Sequence, residues 1–359
     1  MSAPSVAIIG LGFGRAHIPA FQAHGCRVVA VCQRDQASGK KVADAYGIPH
    51  VFTSWQETLE RARPDIVVIA TPPHLHRDIA LAAFAGGAHV LCEKPVAMTR
   101  DEARAMVDAA ARAGRVAMTG FNWRFPAAMQ RLHAMMERGH VGRVIHVTGR
   151  WFGARWADEA STATWRMDRA QAGHGAMGDM GVHLVDLVRW TCGDMRRLVA
   201  HTGIGYPERT VPGGARTADA EDYATVIGEL ASGAEATLSV SRVAHGRNDH
   251  TLEIYGTRGA LAYRLARELP HWYAGELLAA SSGGAFAPVA VDAPLVAGGD
   301  QMDVLGKATI GPLVERLLGA IERNAAATPS LADGLRAQFV LDAVADSASR
   351  RAWVDVPAA

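Results

Sequence analysis

The first 120 residues alternate between two hydrophobic patterns. Continuous apolar runs of strand length occur at 5–9, 26–32, 65–70, 88–92 and 116–119. Runs of this kind are typical of parallel strands that are buried on both faces. Segments with helical spacing lie between several of them, at 55–63, 77–86 and 100–113, and Thr99 is a candidate cap for the last. This alternation predicts an α/β fold with a doubly wound parallel sheet.

After Gly120 the pattern changes to that of an α+β domain. A helix is predicted at 127–138, an alternating strand at 144–152, and a second helix that ends near residue 192. Further strands are predicted at 223–230, 235–242, 250–256 and 260–263. Because short turns such as Ser232-Gly233 separate these strands, the second sheet should be open and mainly antiparallel.

The pattern therefore predicts two domains, at 1–121 and 122–359. Two helices are predicted near the end of the chain, at 311–324 and 331–351, and they can pack back on the first domain. The glycine pairs 283–284 and 298–299 predict loops.

The composition of the chain argues against nucleic-acid binding, membrane binding and secretion. The chain has 359 residues, 49% hydrophobic and 20% charged, with a net charge of +1, so neither nucleic acid nor an anionic membrane is expected as a partner. The four cysteines show no CxxC or zinc spacing, which predicts reduced thiols and a cytoplasmic protein. The apolar run at 5–9 passes into glycines without a basic leader, which indicates a first strand and not a signal peptide.

The segment from Gly10 to His17 follows the first predicted strand. Gly10 permits a tight turn, Gly12 allows the backbone to approach a pyrophosphate, and the next helix offers its N-terminus to the anion. The third glycine of the usual fingerprint would fall at Arg15, whereas Gly14 stands one place earlier. The segment predicts a dinucleotide site; the alternative is a glycine-rich turn without a ligand.

Cofactor choice is expected to depend on the end of the second predicted strand. An acidic residue about 20 residues past the glycines usually binds the ribose 2′-hydroxyl of NAD. Gln33 occupies that position, with Arg34 beside it. The missing carboxylate and the adjacent guanidinium favour NADP over NAD. Alternatively, Arg34 is a solvated residue and Gln33 binds the ribose hydroxyls.

Glu93-Lys94-Pro95 ends the predicted strand at 88–92. Pro95 disfavours helical angles at Lys94. Ligands bind at the carboxyl ends of strands in open α/β sheets, and a lysine held there can donate to a substrate oxygen. The alternative is a surface Glu-Lys pair before a turn.

Asp179, His183 and Asp186 are spaced i, i+4 and i+7, which places them on one face of the predicted helix. A histidine flanked by carboxylates is a good general base. The stripe can also be a polar helix face or a metal site. We predict no metal, because the stripe contains a single imidazole.

Together, these motifs resemble the Gfo/Idh/MocA family of NAD(P)-dependent oxidoreductases, named after glucose–fructose oxidoreductase and inositol dehydrogenase. The resemblance covers nearly the whole chain, and it implies catalytic roles for Lys94, His183 and Asp179. It also implies a cofactor site formed by Gly10, Gly12, Phe13, Gly14, Gln33, Arg34, Thr71, Pro72, His76, Glu93, Lys94 and Asn122. Substrate would be contacted by Arg124, Trp165, Arg166, Asp179 and His183. His174 departs from the glycine that is common in the family at that position.

The resemblance further implies a Rossmann domain at 1–121 and a substrate-binding and oligomerisation domain at 122–359. The expected reaction is hydride transfer between NADP or NAD and a secondary alcohol or ketone of a sugar, polyol or sugar derivative. The protein would be a homodimer or homotetramer. Two alternatives remain open: a redox-neutral NAD-dependent glycosidase of the same fold, and an inactive regulator that senses NAD(P).

Overall fold

The computed structural model of the protein describes residues 3–266, 272–293, 296 and 300–358. Contacts divide the chain into a first unit, Met1–Phe125 with Val296–Leu335, and a second unit, Pro126–Leu295 with Arg336–Ala359. The boundary predicted at 121/122 assigns Val296–Leu335 to the second domain, whereas the contacts group this range with the first unit. The predicted glycine pair at 298–299 lies outside the described residues.

The first unit contains six parallel strands in the order β3-β2-β1-β4-β5-β6. They are β1 (Ser5–Ile9), β2 (Arg27–Cys32), β3 (His50–Phe52), β4 (Ile66–Ile69), β5 (His89–Cys92) and β6 (Ala117–Thr119). The side chains of β1 and β4 are buried throughout, as expected for strands covered on both faces. This confirms the predicted doubly wound sheet.

Five helices connect these strands. They are α1 (His17–Ala23), α2 (Gln36–Tyr46), α3 (Trp55–Ala62), α4 (His76–Ala85) and α5 (Arg100–Ala113). Thr99 caps α5 as predicted, because its side chain accepts the Glu102 N–H at 3.3 Å. The helix α2 was not predicted, because it begins after Asp35 and carries charged and small residues in place of a clear apolar stripe.

His89, at the start of β5, makes the stability of the first unit depend on pH. Its Nδ1 accepts the Val116 N–H at 3.0 Å, so this nitrogen carries no proton in the folded chain. Burial, reinforced by the positive charge of Arg115, lowers the pKa of His89. The unfolded chain then binds a proton more readily than the folded one, and stability is lost as pH falls below about 6.5.

We expect the loss from His89 to be at most about 1.4 kcal/mol per pH unit, and to stop below the folded pKa. His89→Asn keeps an acceptor near the Nδ1 position but does not titrate in this range. Urea midpoints of both proteins, measured from about pH 8 to about pH 5, should converge as the pH falls. Parallel curves would contradict the assignment to His89.

The second unit contains a nine-stranded sheet in the order β16-β15-β14-β13-β7-β12-β11-β8-β17. Its strands are β7 (Val144–Gly153), β8 (Met195–Gly203), β11 (Tyr223–Leu230), β12 (Glu235–Ser241), β13 (Asn248–Gly256), β14 (Gly259–Ala266), β15 (Glu276–Ser281), β16 (Ala287–Pro288) and β17 (Val354–Asp355). The strands β9 (Glu208–Val211) and β10 (Gly214–Thr217) form a separate hairpin. The prediction of a mainly antiparallel sheet is confirmed, although β7 and β12 pair in parallel. Because β7 and β12 are far apart in the chain, no local turn pattern predicts that they pair.

One face of this sheet is covered by helices of the same unit. The helices here are α6 (Ala127–Glu137), α7 (Arg169–Ala172) and α8 (Val182–Cys192). α8 contacts β7, and α6 contacts β14 and β15. Towards the end of the chain follow α9 (Gln301–Leu305), α10 (Gly311–Glu322) and α11 (Leu331–Arg350). None of the helices that the structure describes is long and apolar enough to cross a membrane.

Candidate active site

The predicted cofactor and catalytic motifs of the first unit lie on neighbouring strands. Gly10 directly follows β1, Thr71 follows β4 by two residues, and Lys94 follows β5 by two residues. These strands are adjacent in the order β1-β4-β5, and their carboxyl ends form one edge of the sheet. Strand order reverses between β1 and β4, where open α/β sheets bind their ligands. Two strand spacings, about 10 Å, separate β1 from β5.

The glycine turn has the shape that a pyrophosphate requires. Gly10 has φ +93°, and a Cβ there would lie 2.5 Å from the Ala70 carbonyl oxygen, so only glycine is accommodated. A Cβ on Gly12 would meet nothing within 4 Å, which leaves open space where an anion can approach the backbone. The rings of Phe13 and His17 make an edge contact with centroids 6.1 Å apart.

Gly14 takes the packing role of the missing third glycine. A Cβ on Gly14 would lie 3.0 Å from the Ala70 Cβ and 3.2 Å from the Ile8 Cγ2, so the turn can approach the sheet because this side chain is absent. Arg15 points elsewhere and donates through Nη2 to the Asp300 carboxylate at 2.6 Å. The departure at Arg15 is therefore compatible with a dinucleotide site.

The loop after β4 combines an unsatisfied hydroxyl with a buried histidine. Thr71 Oγ1 is buried and has no hydrogen-bond partner among the described residues, as expected if a ligand atom completes it. His76 is fully buried, with Nε2 2.8 Å from the Thr71 carbonyl oxygen and Nδ1 3.0 Å from that of Pro95. His76 thus joins the Thr71 loop to the segment that carries Lys94. Direct contact of Pro72 or His76 with a cofactor stays a prediction.

Glu93 lies beneath the loop that carries Lys94 and is 6% exposed. Its Oε1 is 2.8 Å from Nε2 of His17, a fully buried residue of α1. Its Oε2 accepts the backbone N–H of Lys94 at 3.4 Å. A Cβ on Gly120 would lie 2.7 Å from Glu93 Oε1, so Gly120 leaves the space that this carboxylate occupies. The buried pair links the glycine-turn helix to the lysine, whose own side chain is part-exposed.

Asn122 and Arg124 are buried within the first unit. Asn122 Nδ2 donates to the Thr309 hydroxyl at 2.9 Å. Arg124 is 3% exposed, and its guanidinium lies 3.4 Å from the Thr328 hydroxyl and 3.6 Å from the Asp333 carboxylate. These contacts join Asn122 and Arg124 to Thr309, Thr328 and Asp333, which lie far along the chain in the same unit. The predicted contacts of Asn122 with cofactor and of Arg124 with substrate stay predictions.

The end of β2 presents a positive charge to solvent. Arg34 is exposed and makes no ion pair with the residues that the structure describes, while Gln33 is part-buried. The neighbouring carboxylate is occupied, because Asp35 accepts the Ser38 N–H at 2.8 Å as the cap of α2. These hydrogen bonds from Ser38 lower the pKa of Asp35.

In the second unit, Asp179 lies in a π-helical turn, Met177–Gly181, that leads directly into α8. The spacing of Asp179, His183 and Asp186 predicted a continuous α-helix through all three residues. The π turn inserts a wider turn between Asp179 and His183, and such turns are frequent at functional sites. His183 and Asp186 are 3% and 1% exposed, whereas the Asp179 side chain is 21% exposed. The stripe is therefore mostly buried and is no solvated polar face.

Trp165 and Arg166 belong to the same unit. The Arg166 guanidinium lies over the Trp165 ring, with Cζ 4.3 Å from the ring centroid. Its Nε donates to Asp179 Oδ1 at 3.4 Å, so the structure joins three of the predicted substrate-binding residues. No group of three His, Cys, Asp or Glu side chains within the described ranges is arranged to hold a metal ion.

Several buried charged residues that support these segments were not predicted from the sequence. His17 pairs with Glu93, and Glu221 accepts two backbone N–H groups near Asp179. Asp222 is fully buried between the guanidinium groups of Arg209 and Arg242. The available signal was a charged or imidazole side chain within an otherwise apolar run, as at His17 between Ala16 and Ile18.

Comparison with known proteins agrees with this geometry. A family profile described as "Oxidoreductase family, NAD-binding Rossmann fold" matches residues 5–121. The profile of the GFO/IDH/MocA C-terminal domain matches residues 129–262. The two matches together cover more than half of the chain.

Individual relatives match over almost the full length. Levoglucosan dehydrogenase of Pseudarthrobacter phenanthrenivorans is 30% identical over 388 residues, covering 98% of this chain and 98% of that protein. Inositol 2-dehydrogenase of Rhizobium meliloti is 27% identical and covers 97% of this chain and 98% of that protein. A solved structure of levoglucosan dehydrogenase with NADH and L-sorbose superposes with a TM-score of 0.90 at 29% identity, covering 100% of both chains. The chain belongs to the Gfo/Idh/MocA family of oxidoreductases, and residues 5–121 match the NAD-binding Rossmann domain of that family.

Proposed function

We propose that this protein transfers a hydride between NAD(P) and a secondary alcohol carbon of a sugar, polyol or sugar derivative. The observation that carries the proposal is the arrangement of the glycine turn, the Thr71 loop and Lys94 at the carboxyl ends of three adjacent strands. Levoglucosan dehydrogenase and inositol 2-dehydrogenase, similar over nearly the whole chain, support the substrate class.

The residues of the chain fit the cofactor. Gly10 and Gly14 shape the turn, Gly12 leaves space for a pyrophosphate, and Thr71 offers a hydroxyl whose hydrogen bond is unmade. When bound, NAD(P) supplies the nicotinamide carbon that accepts or returns the hydride. The protein supplies position and proton transfer.

We assign the proton and the developing charge to separate side chains. During oxidation the hydroxyl proton passes to His183, and during reduction His183 returns it. The ammonium of Lys94 donates to the same oxygen and stabilises its negative charge. Asp179 orients His183 or accepts from a neighbouring hydroxyl. The substrate thereby loses one hydride and one proton when it is oxidised to a ketone or lactone.

Absorbance at 340 nm tests the reaction directly. Purified protein is mixed with NAD or NADP and with levoglucosan or inositol, and substrate is quantified in parallel. Reduced nicotinamide that accumulates in step with substrate consumed supports the proposal. Glycoside hydrolysis without lasting absorbance indicates a redox-neutral glycosidase, and cofactor binding without turnover on a broad sugar panel indicates a sensor. Either result overturns the dehydrogenase assignment.

We propose NADP as the preferred cofactor, on the basis of the exposed Arg34 and the neutral Gln33. A charge-assisted contact with the 2′-phosphate is worth about 1.5–3 kcal/mol, or roughly ten- to hundredfold in affinity. Gln33→Asp should shift the preference towards NAD, because it repels the phosphate and offers the ribose hydroxyls an acceptor. Titration of both cofactors, followed by tryptophan fluorescence, measures the ratio.

Gln36→Asp is the matched control for this substitution. It adds the same charge nearby, in the first turn of α2, and should leave the ratio nearly unchanged. Tighter binding of NAD than of NADP by the wild type would contradict the proposal, and an equal shift in both variants would show a general charge effect.

We propose that the second unit also joins copies of the chain through the face of its sheet that carries exposed apolar side chains. Tyr223 and Ile227 on β11 and Leu278 on β15 are 37%, 40% and 37% exposed, and the strand registers place all three on the same face of the sheet. Light scattering should give a mass at least twice that of one chain. A single-chain mass at working concentration excludes the homodimer and the homotetramer.

A cytoplasmic location is likewise a proposal. It is supported by the four cysteines, none of which forms a disulfide. Three of them are buried, and burial raises the pKa of Cys26, Cys32 and Cys92.

A further inference from the structure

A buried carboxylate lies beside the segment that leads to Asp179. Glu221, which precedes β11, is 4% exposed. Its Oε1 accepts the N–H of Gly175 at 2.7 Å and the N–H of Met177 at 3.1 Å. Its backbone carbonyl accepts the N–H of Ala176 at 2.8 Å. One residue therefore binds three consecutive amides of this segment.

The contact is unusually close because residue 175 is a glycine. A Cβ at Gly175 would lie 2.1 Å from the Glu221 carbonyl oxygen and 2.6 Å from its backbone nitrogen. These are backbone atoms, which cannot rotate away as the end of a side chain can. Any larger residue would push the segment off Glu221.

The amides of residues 175–177 lead directly into the helical segment that carries Asp179 and His183, so their position affects the position of these two side chains. They stand at the start of the helical segment, where N–H groups have no acceptor within the helix. A carboxylate there makes charge-assisted hydrogen bonds, which are stronger than neutral ones. The Asp179 N–H bonds to the Gly175 carbonyl at 2.9 Å, and the π turn continues from there into the helix of His183.

Asp222, the residue after Glu221, supports Arg166, which also contacts Asp179. Asp222 Oδ1 accepts from Arg242 Nε at 2.8 Å, and Arg242 Nη1 donates to the Arg166 carbonyl at 2.9 Å. Arg166 in turn reaches Asp179 through its guanidinium. Asp179 is thus flanked by residues 175–177, which Glu221 binds directly, and by Arg166, which Asp222 reaches through Arg242.

We infer that Glu221 is a positioning residue for the proposed hydride transfer: its carboxylate fixes the backbone from which Asp179 and His183 project. The inference rests on the proposed function, which assigns the proton to His183. Glu221 acts through backbone amides and needs no contact with substrate. Its other oxygen, Oε2, lies 3.7 Å from Nη2 of the exposed Arg169, and an ion pair with an exposed partner contributes little. An oxygen acceptor is what the amides require, so glutamine should largely replace it.

The test compares Glu221→Ala, Glu221→Gln and the surface control Glu137→Ala, whose wild-type side chain is 69% exposed at the end of α6. Glu221→Ala should lower kcat/KM by roughly 10- to 100-fold, as the loss of a supporting partner commonly does. Glu221→Gln should stay within about threefold of wild type, because its amide oxygen still accepts both N–H groups. The control should match wild type.

Three readouts separate positioning from general damage. NAD(P) should still bind at one per chain with unchanged affinity, because the assigned cofactor residues lie in the first unit. The loss should fall on kcat, and the acidic side of the pH profile of kcat/KM should move because the surroundings of His183 change. Hydrogen exchange should quicken at residues 175–177 in Glu221→Ala and recover in Glu221→Gln.

Several results would overturn the inference. Activity of Glu221→Ala within about threefold of wild type removes the positioning role. If kcat/KM of Glu221→Ala falls only in proportion to the fraction of chains that bind NAD(P), and its pH profile is unchanged, then Glu221 has a structural role only. Unchanged exchange at 175–177 removes the anchor itself. A wild type that turns over no sugar or polyol overturns the proposed function, and the catalytic part of this inference with it, while the exchange result still decides whether Glu221 anchors the segment.

Discussion

Lys94→Met is expected to lower kcat/KM by roughly 10²–10⁴ and to leave cofactor affinity nearly intact. Methionine keeps the length of the side chain but removes the ammonium that is proposed to stabilise charge on the substrate oxygen. The segment around it should persist, because His76 binds the Pro95 carbonyl and Glu93 pairs with His17. Steady-state kinetics with the substrate found at 340 nm, together with fluorescence titration of the cofactor, measures both quantities.

Lys40→Met is the matched control. Lys40 lies on α2 of the same unit, its side chain is 68% exposed, and it pairs with Asp44 one turn away. Its loss should change kcat/KM by less than about twofold, since exposed pairs of this kind contribute little. Turnover of Lys94→Met within about tenfold of wild type, a loss of no more than ~1.4 kcal/mol, would remove Lys94 from the mechanism.

Asp222→Ala is expected to destabilise the second unit by about 3–5 kcal/mol, because it leaves two buried guanidinium groups without their carboxylate. Asp222 and Arg209 are fully buried side chains, and that of Arg242 is 1% exposed. Asp222 also accepts the backbone N–H groups of Gly205 and Tyr206 at 2.9 and 3.1 Å. Urea denaturation followed by circular dichroism measures the loss as a lower midpoint.

The double variant Asp222→Ala with Arg209→Met should be less destabilised than the sum of its single variants, because one unpaired charge is removed with its partner. Asp346→Ala, which breaks an exposed pair with Arg350 on α11, should cost no more than about 0.5 kcal/mol. If Asp222→Ala unfolds at the same urea midpoint as the wild type, Arg209 and Arg242 find other partners or water. Their pairing with Asp222 then does not stabilise the second unit.

Most elements of the fold were predictable from local pattern. The strand Tyr223–Leu230 was predicted to the residue, and the helix at 100–113 was predicted together with its cap. The strand β8 was missed because Arg196 and Arg197 interrupt its apolar positions. The parallel pairing of β7 with β12 was also missed, because it depends on which distant strands meet and not on either strand's composition.

The candidate site was predictable where a motif is continuous in sequence. The glycine turn and Glu93-Lys94-Pro95 each follow a strand directly, so the strand prediction placed them at one edge of a sheet. Burial was not predictable in the same way. The structure buries Asn122 and Arg124 against Thr309 and Asp333, residues far along the chain, while their contacts with cofactor and substrate stay predictions.

The family, the parallel sheet and the residues proposed to transfer hydride and proton follow from sequence alone, because strand periodicity, glycine turns and short motifs are local properties of a chain. The charged groups that support these residues are visible only in the folded chain. His17 meets Glu93 across 76 residues, Glu221 meets Gly175 across 46, and Arg242 meets Arg166 across 76. Such pairs cannot be read from hydrophobic periodicity, because the pattern of each segment does not depend on which distant residue its charged group contacts. They form only when folding removes both groups from water and each must find a partner.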